Sequence, residues 1–163
     1  MIARYKPNTA LRVIAFDLGK NFAWAHNVTG ILVARVVLLE GGTRAHRLGH
    51  LVNVLGVLFE GLSNQLDIVV YETPFARGRD ATRSGWGIAG IIEACATNAG
   101  LPVVDVAVPT IKKFATGSGR GAKVDMIAVA RSKFNYKGNN EHEADAVCLL
   151  KYAEANLERV RDE

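Results

Sequence analysis

Three short runs of apolar residues open the chain, after which the apolar positions change to a helical spacing. The runs at residues 11–17, 22–28 and 31–39 are rich in β-branched and aromatic side chains, which is typical of strands. Short polar turns separate them, so we expect an antiparallel meander. Between residues 44 and 64 the apolar residues recur every three or four positions, which predicts an amphipathic helix with one buried face.

The second half of the chain alternates strand-like and helix-like segments. Strands are predicted at residues 67–72 and 101–107, where apolar β-branched residues stand between polar segments. The predicted helices are residues 87–98, a short helix beginning near Pro109, residues 122–134 and residues 141–158. Three strands, one helix and then strands that alternate with helices predict an α/β fold. Its sheet would be mixed, an antiparallel meander plus parallel strands, and flanked by α-helices.

The length and composition indicate one folded domain. With 163 residues, of which 49% are hydrophobic and 22% charged, the chain can bury a core of ordinary size but has no room for two folds. We therefore expect a polar N-terminal leader over residues 1–10 and a single domain over residues 11–163. The sequence shows neither an apolar run of the ~18 residues that a membrane span needs nor an apolar secretion signal. A cytoplasmic protein without a membrane partner is expected.

The net charge of +4 hides an uneven distribution of charged residues. Residues 106–140 contain seven basic residues and one acid, whereas residues 141–163 contain seven acids and three bases. A basic stretch beside an acidic one fits a protein that holds a polyanion against a metal site. A pair of solvated helices would show the same pattern, so the charge distribution alone does not decide between them.

Four potential metal ligands stand at the ends of predicted elements. Asp17 and Glu72 each end a hydrophobic strand, and their side chains would converge if the two strands are neighbours. Near the start of the last helix, His142 and Asp145 are three residues apart and therefore share one face. Converging acids are tolerated when a cation lies between them or one is protonated, and oxygen donors with one imidazole suit Mg²⁺ or Mn²⁺ rather than zinc. Each acid could instead be a helix cap or a turn residue.

Several segments resemble the catalytic segments of RuvC-type Holliday-junction resolvases, a family of the ribonuclease H-like superfamily. They are Phe-Asp-Leu-Gly at residues 16–19, Tyr-Glu-Thr-Pro-Phe at residues 71–75 and His-Glu-Ala-Asp-Ala at residues 142–146. The glycine segment bracketed by Lys112 and Lys123 is similar to a loop of the same family. The resemblance covers nearly the whole chain and implies a ribonuclease H-like mixed sheet.

The resemblance implies that Asp17, Glu72 and Asp145 are catalytic metal ligands. It places His142 as a fourth ligand, where many members have another carboxylate and some have histidine. It also implies two divalent ions per active site, Mg²⁺ or Mn²⁺, about 3.5–4 Å apart, which would make the attacking water more acidic and stabilise the leaving oxygen. We expect Asp17 to bridge both ions. Lys123 is expected to contact the scissile phosphate as a further catalytic residue.

The resemblance also implies a set of residues that bind branched DNA. Phe75 is expected to stack on an unpaired base, and the arginines of a loop over residues 75–85 are expected to hold the DNA arms through phosphate contacts. The expected DNA-binding residues are Phe75, Arg77, Arg79, Arg83, Lys112, Gly117, Gly119 and Lys123. Alternatives stay open for these residues. The lysines could be solvated residues on a helix, the glycines could belong to a plain turn, and Phe75 could anchor its loop by hydrophobic contact.

The resemblance implies an endodeoxyribonuclease that resolves four-way DNA junctions through paired, metal-dependent nicks. Because symmetric nicks are easiest for a two-fold dimer, we expect a homodimer, in the cytoplasm of a bacterium or of a phage-infected host. The alternatives are a general branched-DNA or flap nuclease, or a ribonuclease, on the same fold. The Asp-Leu-Gly turn also occurs in nucleotide-binding domains of the actin and sugar-kinase type, and a junction-binding protein that no longer cuts is a further possibility.

Overall fold

The computed structural model describes residues 10–75, 78–119 and 123–157, with residues 123 and 124 described by their backbone alone. The predicted leader therefore lies, except for Ala10, outside the described residues. No helix within these ranges combines the length and the apolar character that crossing a membrane requires.

A five-stranded mixed sheet forms the centre of the protein. Its strands are β1 (Val13–Asp17), β2 (Asn21–His26), β3 (Val33–Leu38), β4 (Ile68–Glu72) and β5 (Val103–Val106). They lie in the order β3-β2-β1-β4-β5; the first three strands of the chain pair antiparallel, whereas β4 and β5 run parallel to β1. The predicted fold class, an antiparallel meander extended by parallel strands, is confirmed.

Helices cover both faces of this sheet. Those that the described ranges contain are α1 (Arg44–Leu62), α2 (Arg79–Asn98), α3 (Val108–Thr116), α4 (Lys123–Lys133) and α5 (Glu141–Asn156). Helices α1 and α2 pack on one face, and α3, α4 and α5 contribute to the core on the other. The sheet is therefore the middle layer of three, and its strand ends are bordered by helices from both sides.

Strand β1 belongs to both cores, which fixes the position of Asp17 at its end. Val13 and Ala15 face the core that contains α5, and Ile14 and Phe16 face the core that contains α1 and α2. Because helices cover both faces, these four side chains are completely buried. A strand that is paired on both edges and packed on both faces leaves the backbone of Asp17 little freedom.

Helix α2 begins at Arg79, well before the predicted start near Gly87. Arg79 and Arg83 therefore lie on a helix and not in a loop, which corrects the prediction from the sequence. Gly85 and Gly87 disfavour a helix by about 1 kcal/mol each in intrinsic propensity, yet the packing requires a small residue. A Cβ on Gly85 would lie 3.1 Å from the Cβ of Pro74. The absence of a side chain at residue 85 therefore allows the helix to approach the loop after β4 closely.

The remaining predicted elements are present with somewhat shorter bounds. The helix predicted over residues 44–64 ends at Leu62, because the chain tightens there into a 3₁₀ turn at Ser63–Gln65. The strand predicted over residues 101–107 pairs only along β5. The predicted metal ligands keep their expected places, at the ends of β1 and β4 and near the start of α5.

Candidate active site

Asp17 and Glu72 leave the sheet at the same edge. Strands β1 and β4 are parallel neighbours with Phe16 in register with Tyr71, so the next residue of each strand lies at the same end of the pair. Asp17 is only 6% exposed, and Glu72 is half-buried. The two carboxylates were expected to converge if their strands are neighbours, and the parallel pairing of β1 with β4 makes them so.

Helix α5 brings His142 to the same end of the sheet. The side chain of Asn140 caps the helix by accepting hydrogen bonds from the backbone N–H of His142 at 2.9 Å and of Glu143 at 3.1 Å. The helix crosses β1 and β2, and Nδ1 of His142 lies 2.9 Å from Oδ2 of Asp17. A carboxylate oxygen accepts in such a contact when Nδ1 carries the imidazole proton. Nε2 lies 3.4 Å from the side-chain amide nitrogen of Asn21.

One cavity of about 620 Å³ contains all four predicted metal ligands. Asp17 and Glu72 line it from the strand ends, and His142 and Asp145 line it from α5. Side chains from three elements that are far apart in the sequence are therefore brought to one place. Their roles as ligands stay predictions, but their convergence is a property of the structure.

Phe75 and Lys112 line the same cavity. Phe75 follows β4 and is 67% exposed, so its ring is accessible to a ligand. Lys112 is half-buried on α3. The two glycines that follow α3 do not line the cavity: Gly117 ends the helix with a φ of 80°, and Gly119 packs against Pro109. A left-handed helix end favours glycine for a structural reason alone.

Of the other predicted DNA-binding residues, the structure describes the side chains of two arginines. Arg79 and Arg83 are exposed on α2 and do not line the cavity. Arg77 lies outside the described residues. Lys123 is the first residue of α4, and its side chain is not among those described. Contacts of these side chains with a phosphate therefore stay predictions.

Three further basic residues line the cavity and were not predicted from the sequence. Lys20 follows the turn after Asp17, and Arg44 and Arg47 belong to the first turn of α1. That first turn contains no acid, although helices favour acids at this end. Two arginines at the start of a helix were the available signal in the sequence.

The donor chemistry of the cavity fits a divalent cation. Three carboxylates and one imidazole form the oxygen-rich set that Mg²⁺ and Mn²⁺ prefer. Within the described residues, no group of three or more His, Cys, Asp or Glu side chains already has an arrangement that could hold an ion. Asp17, Glu72, His142 and Asp145 are candidate ligands because of their chemistry and their common cavity.

Cys148 lies on α5 near these donors but outside the cavity. Burial raises the pKa of Cys148 to about 12, and the charge of Asp145 adds to the effect. The thiol is therefore protonated at neutral pH and is not suited to bind a metal. Cys148 is a free, buried cysteine, and Cys95 is free as well.

A hydrogen-bonded cluster behind α5 fixes the start of this helix. Oη of Tyr136 donates to Oε2 of Glu143 at 2.6 Å and accepts from the backbone N–H of Asn140 at 3.1 Å. Burial, and next the bond to Glu143, raise the pKa of Tyr136 to about 12, so the hydroxyl keeps its proton. A Cβ on Gly138 would collide with the ring of Tyr136. Glu143 therefore belongs to this cluster, while His142 and Asp145 face the cavity.

The strand order β3-β2-β1-β4-β5 and the helices on both faces of the sheet form a fold that other proteins share. No protein-family model matches the sequence. No curated protein matches it significantly either. Similarity is found among solved structures.

Thermus thermophilus RuvC is similar to this chain with a TM-score of 0.67 and 23% sequence identity, over 88% of this chain and 94% of the other. T. thermophilus RuvC in complex with a Holliday junction substrate gives a TM-score of 0.71 at 18% identity, over 91% and 98%. The yeast mitochondrial Holliday junction resolvase Ydc2 gives 0.62 at 13% identity, over 92% and 80%. The resemblance to RuvC-type resolvases is thus confirmed at the level of the fold.

Proposed function

We propose that this protein is a structure-selective endodeoxyribonuclease that resolves four-way DNA junctions through paired, metal-dependent nicks. The observation that carries the proposal is the convergence of Asp17, Glu72, His142 and Asp145 in one cavity at the end of a RuvC-like sheet. Because one fold can support many activities, the proposed activity is favoured by this donor set and its position and not by the fold alone.

Asp17, Glu72 and Asp145, with His142, would hold Mg²⁺ or Mn²⁺, two ions per site. Such ions, when bound, make the attacking water more acidic and stabilise the charge on the leaving oxygen. Asp17 is nearly buried and in contact with His142. A hydrogen bond donated by Nδ1 of His142 would fix the orientation of the Asp17 carboxylate.

Lysines and an aromatic residue would position the DNA strand. Lys112 lines the cavity and would contact a phosphate beside the one that is cut. Lys123, at the start of α4, would contact the scissile phosphate itself. The exposed ring of Phe75 at the cavity is suited to stacking on an unpaired base, which a junction offers at its centre.

Further contacts would hold the arms of the junction. Arg79 and Arg83 are exposed on α2, one turn apart, and Arg77 precedes this helix. From a helix face such residues would bind phosphates and would position the duplex without reading its sequence. The backbone of the turn containing Gly117 and Gly119 would contribute only where it approaches a phosphate.

A homodimer would place two such sites for symmetric nicks. A two-fold pair presents the same surface twice, which matches the near symmetry of a four-way junction. Helices α1 and α2 cover one face of the sheet and carry exposed apolar side chains, including Val57 and Trp86. They are the candidate dimer surface.

The experiment is a cleavage assay on matched substrates: a four-way junction, a flap, a linear duplex and an RNA–DNA hybrid, each with Mg²⁺ and then with Mn²⁺. The proposal predicts paired nicks confined to the junction. Asp17→Asn, which keeps the size of the side chain, should abolish cutting and keep junction binding. Preferred cutting of the flap or the hybrid would favour the general nuclease or the ribonuclease. Binding of ATP without cutting of any substrate would overturn the proposal.

A further inference from the structure

Two arginines of α1 border the cavity that contains the carboxylates. Arg44 and Arg47 lie in the first turn of the helix and are half-buried. Helix α1 packs on one face of the sheet, and α3, which contributes Lys112, packs on the other. The ends of β1 and β4 are therefore bordered by basic side chains from both faces of the sheet.

The loop before α1 holds Arg47 in place. Nη1 of Arg47 donates to the backbone carbonyl of Gly41 at 3.1 Å. Gly41 has a φ of 133°, and a Cβ there would lie 2.5 Å from the Cβ of His46, so the loop folds tightly against the first turn. The backbone N–H of Glu40 donates to Nδ1 of His50 at 2.9 Å and ties the same loop to the next turn. The guanidinium of Arg47 is therefore positioned in the absence of a ligand.

The close approach of α1 and α2 positions Arg44. A Cβ on Gly87 would lie 3.3 Å from Nη1 of Arg44 and 3.4 Å from Cδ1 of Leu48. These distances are at the lower limit of ordinary carbon contacts, so a side chain at residue 87 would press against both groups. The glycine in α2 gives the guanidinium of Arg44 its room beside the cavity.

Neither arginine forms an ion pair with an acid within the part of the chain that the structure describes. The ion pairs found there involve Arg12, His142 and Lys151, but not Arg44 or Arg47. The two positive charges also lie at the positive end of the helix dipole, which is unfavourable unless an anion is nearby. Partly buried guanidinium groups that form no ion pair keep their N–H donors available for bidentate contact with phosphate oxygens.

We propose that Arg44 and Arg47 form a phosphate-binding subsite for the nucleotide beside the scissile phosphate, across the carboxylates from Lys112. This inference rests on the proposed function, because it takes the carboxylates as the centre that cuts. The DNA strand crosses the end of the sheet from α1 to α3. Contacts with phosphates on both sides hold the intervening phosphodiester against Asp17 and Glu72.

The test measures how junction affinity depends on salt. Wild type, Arg44→Gln, Arg47→Gln and the double variant are titrated into a fluorescein-labelled four-way junction in Ca²⁺, and anisotropy gives the dissociation constant at several salt concentrations. Each phosphate contact contributes about 0.9 to the slope of log affinity against log salt. Each single variant should lower the slope by roughly one and the double variant by roughly two. Arg35→Gln is the matched control, since Arg35 is exposed on β3 and does not line the cavity.

A wild-type slope in the double glutamine variant would overturn the inference. A second double variant, with lysine at both positions, separates charge from folding. It keeps both positive charges and should keep the slope, while the affinity falls because the planar fork is lost. If the lysine pair lowered the slope as much as the glutamine pair, a damaged fold would be the cause, and the subsite would be rejected.

If the proposed function itself is wrong, the experiments give a result that differs from rejection of the arginine subsite. If wild type bound a linear duplex or an RNA–DNA hybrid more tightly than the junction, and cut no junction, the resolvase proposal would be wrong. The slopes of the arginine variants on that preferred ligand would still decide whether Arg44 and Arg47 bind phosphate.

Discussion

His142 and Asp17 are in direct contact although 125 positions separate them in the chain. Nδ1 of the imidazole lies 2.9 Å from Oδ2 of the carboxylate, which links α5 to the end of β1. These are two of the three elements on which the proposed metal site depends. Because an imidazole has no negative charge, the proposed ligand set carries one negative charge less than four carboxylates would. A harder cation such as Mg²⁺ loses more from that change than Mn²⁺ does.

His142→Asp should therefore raise the rate of junction cleavage in Mg²⁺ relative to the rate in Mn²⁺, on the order of tenfold. Single-turnover rates with each metal give this ratio for wild type and variant. Glu143→Gln is the control, because Glu143 lies on the same turn but bonds to Tyr136 and does not line the cavity. An unchanged metal ratio in His142→Asp would contradict the role given to His142.

Tyr136→Phe should destabilise the protein through the start of α5. It removes the hydroxyl that donates to Glu143 and accepts from Asn140, which should lower the free energy of unfolding by about 1–3 kcal/mol. Urea unfolding measures the loss. Tyr152→Phe is the matched control, because among the described residues the hydroxyl of Tyr152 makes no hydrogen bond that the substitution could remove. A loss no larger than in this control would show that the cluster does not hold the helix.

His26 should make the protein less stable as the pH falls. Its side chain is buried, and within the described residues Nδ1 has no hydrogen-bond partner. Burial, and next the charge of Arg35, lower the pKa of His26 below its usual value of about 6.5. Below about pH 6.5 the unfolded chain takes up a proton that the folded protein resists, so the free energy of unfolding decreases until the lower pKa is passed.

Urea unfolding of wild type and His26→Leu at about pH 7 and about pH 5.5 measures this contribution. The decrease between the two pH values should be smaller in the variant, because leucine does not titrate. Equal decreases would mean that other groups account for the whole pH dependence.

Phe75→Ala should weaken binding to a junction with unpaired bases by about 1–3 kcal/mol and leave binding to a linear duplex unchanged. The expectation follows from its ring, which is 67% exposed at the cavity. Ile31→Ala is the control for the loss of an equally exposed apolar side chain, 69% exposed in the turn between β2 and β3. Equal losses on junction and duplex would contradict stacking on an unpaired base.

The strand ends were predictable from the sequence because each apolar run stops at one carboxylate. Asp17 and Glu72 follow such runs, and a buried strand leaves only its end free for a polar side chain. His142 and Asp145 were predictable because helical spacing places them on one face. Local patterns were sufficient for these residues, since each depends on a single element.

The start of α2 and the position of Arg44 and Arg47 in the cavity depend on contacts between elements, which a local pattern does not contain. The sequence predicted this helix only from residue 87, whereas it begins at Arg79. Gly85 and Gly87 lack the side chains that would press against Pro74 and Arg44. In the sequence, Arg44 and Arg47 are simply polar residues at the start of a helix. Their place in the cavity follows only from how α1 packs on the sheet and against α2.

Asp17, Glu72 and Asp145 are proposed to bind divalent cations together. Anomalous diffraction from crystals soaked in Mn²⁺, measured for wild type and Asp17→Asn, tests this binding without assuming any substrate. A strong peak among these carboxylates is expected in wild type, and it should be lost or much reduced in the variant. Ordered carboxylates with no peak between them, or an equal peak in Asp17→Asn, would contradict it.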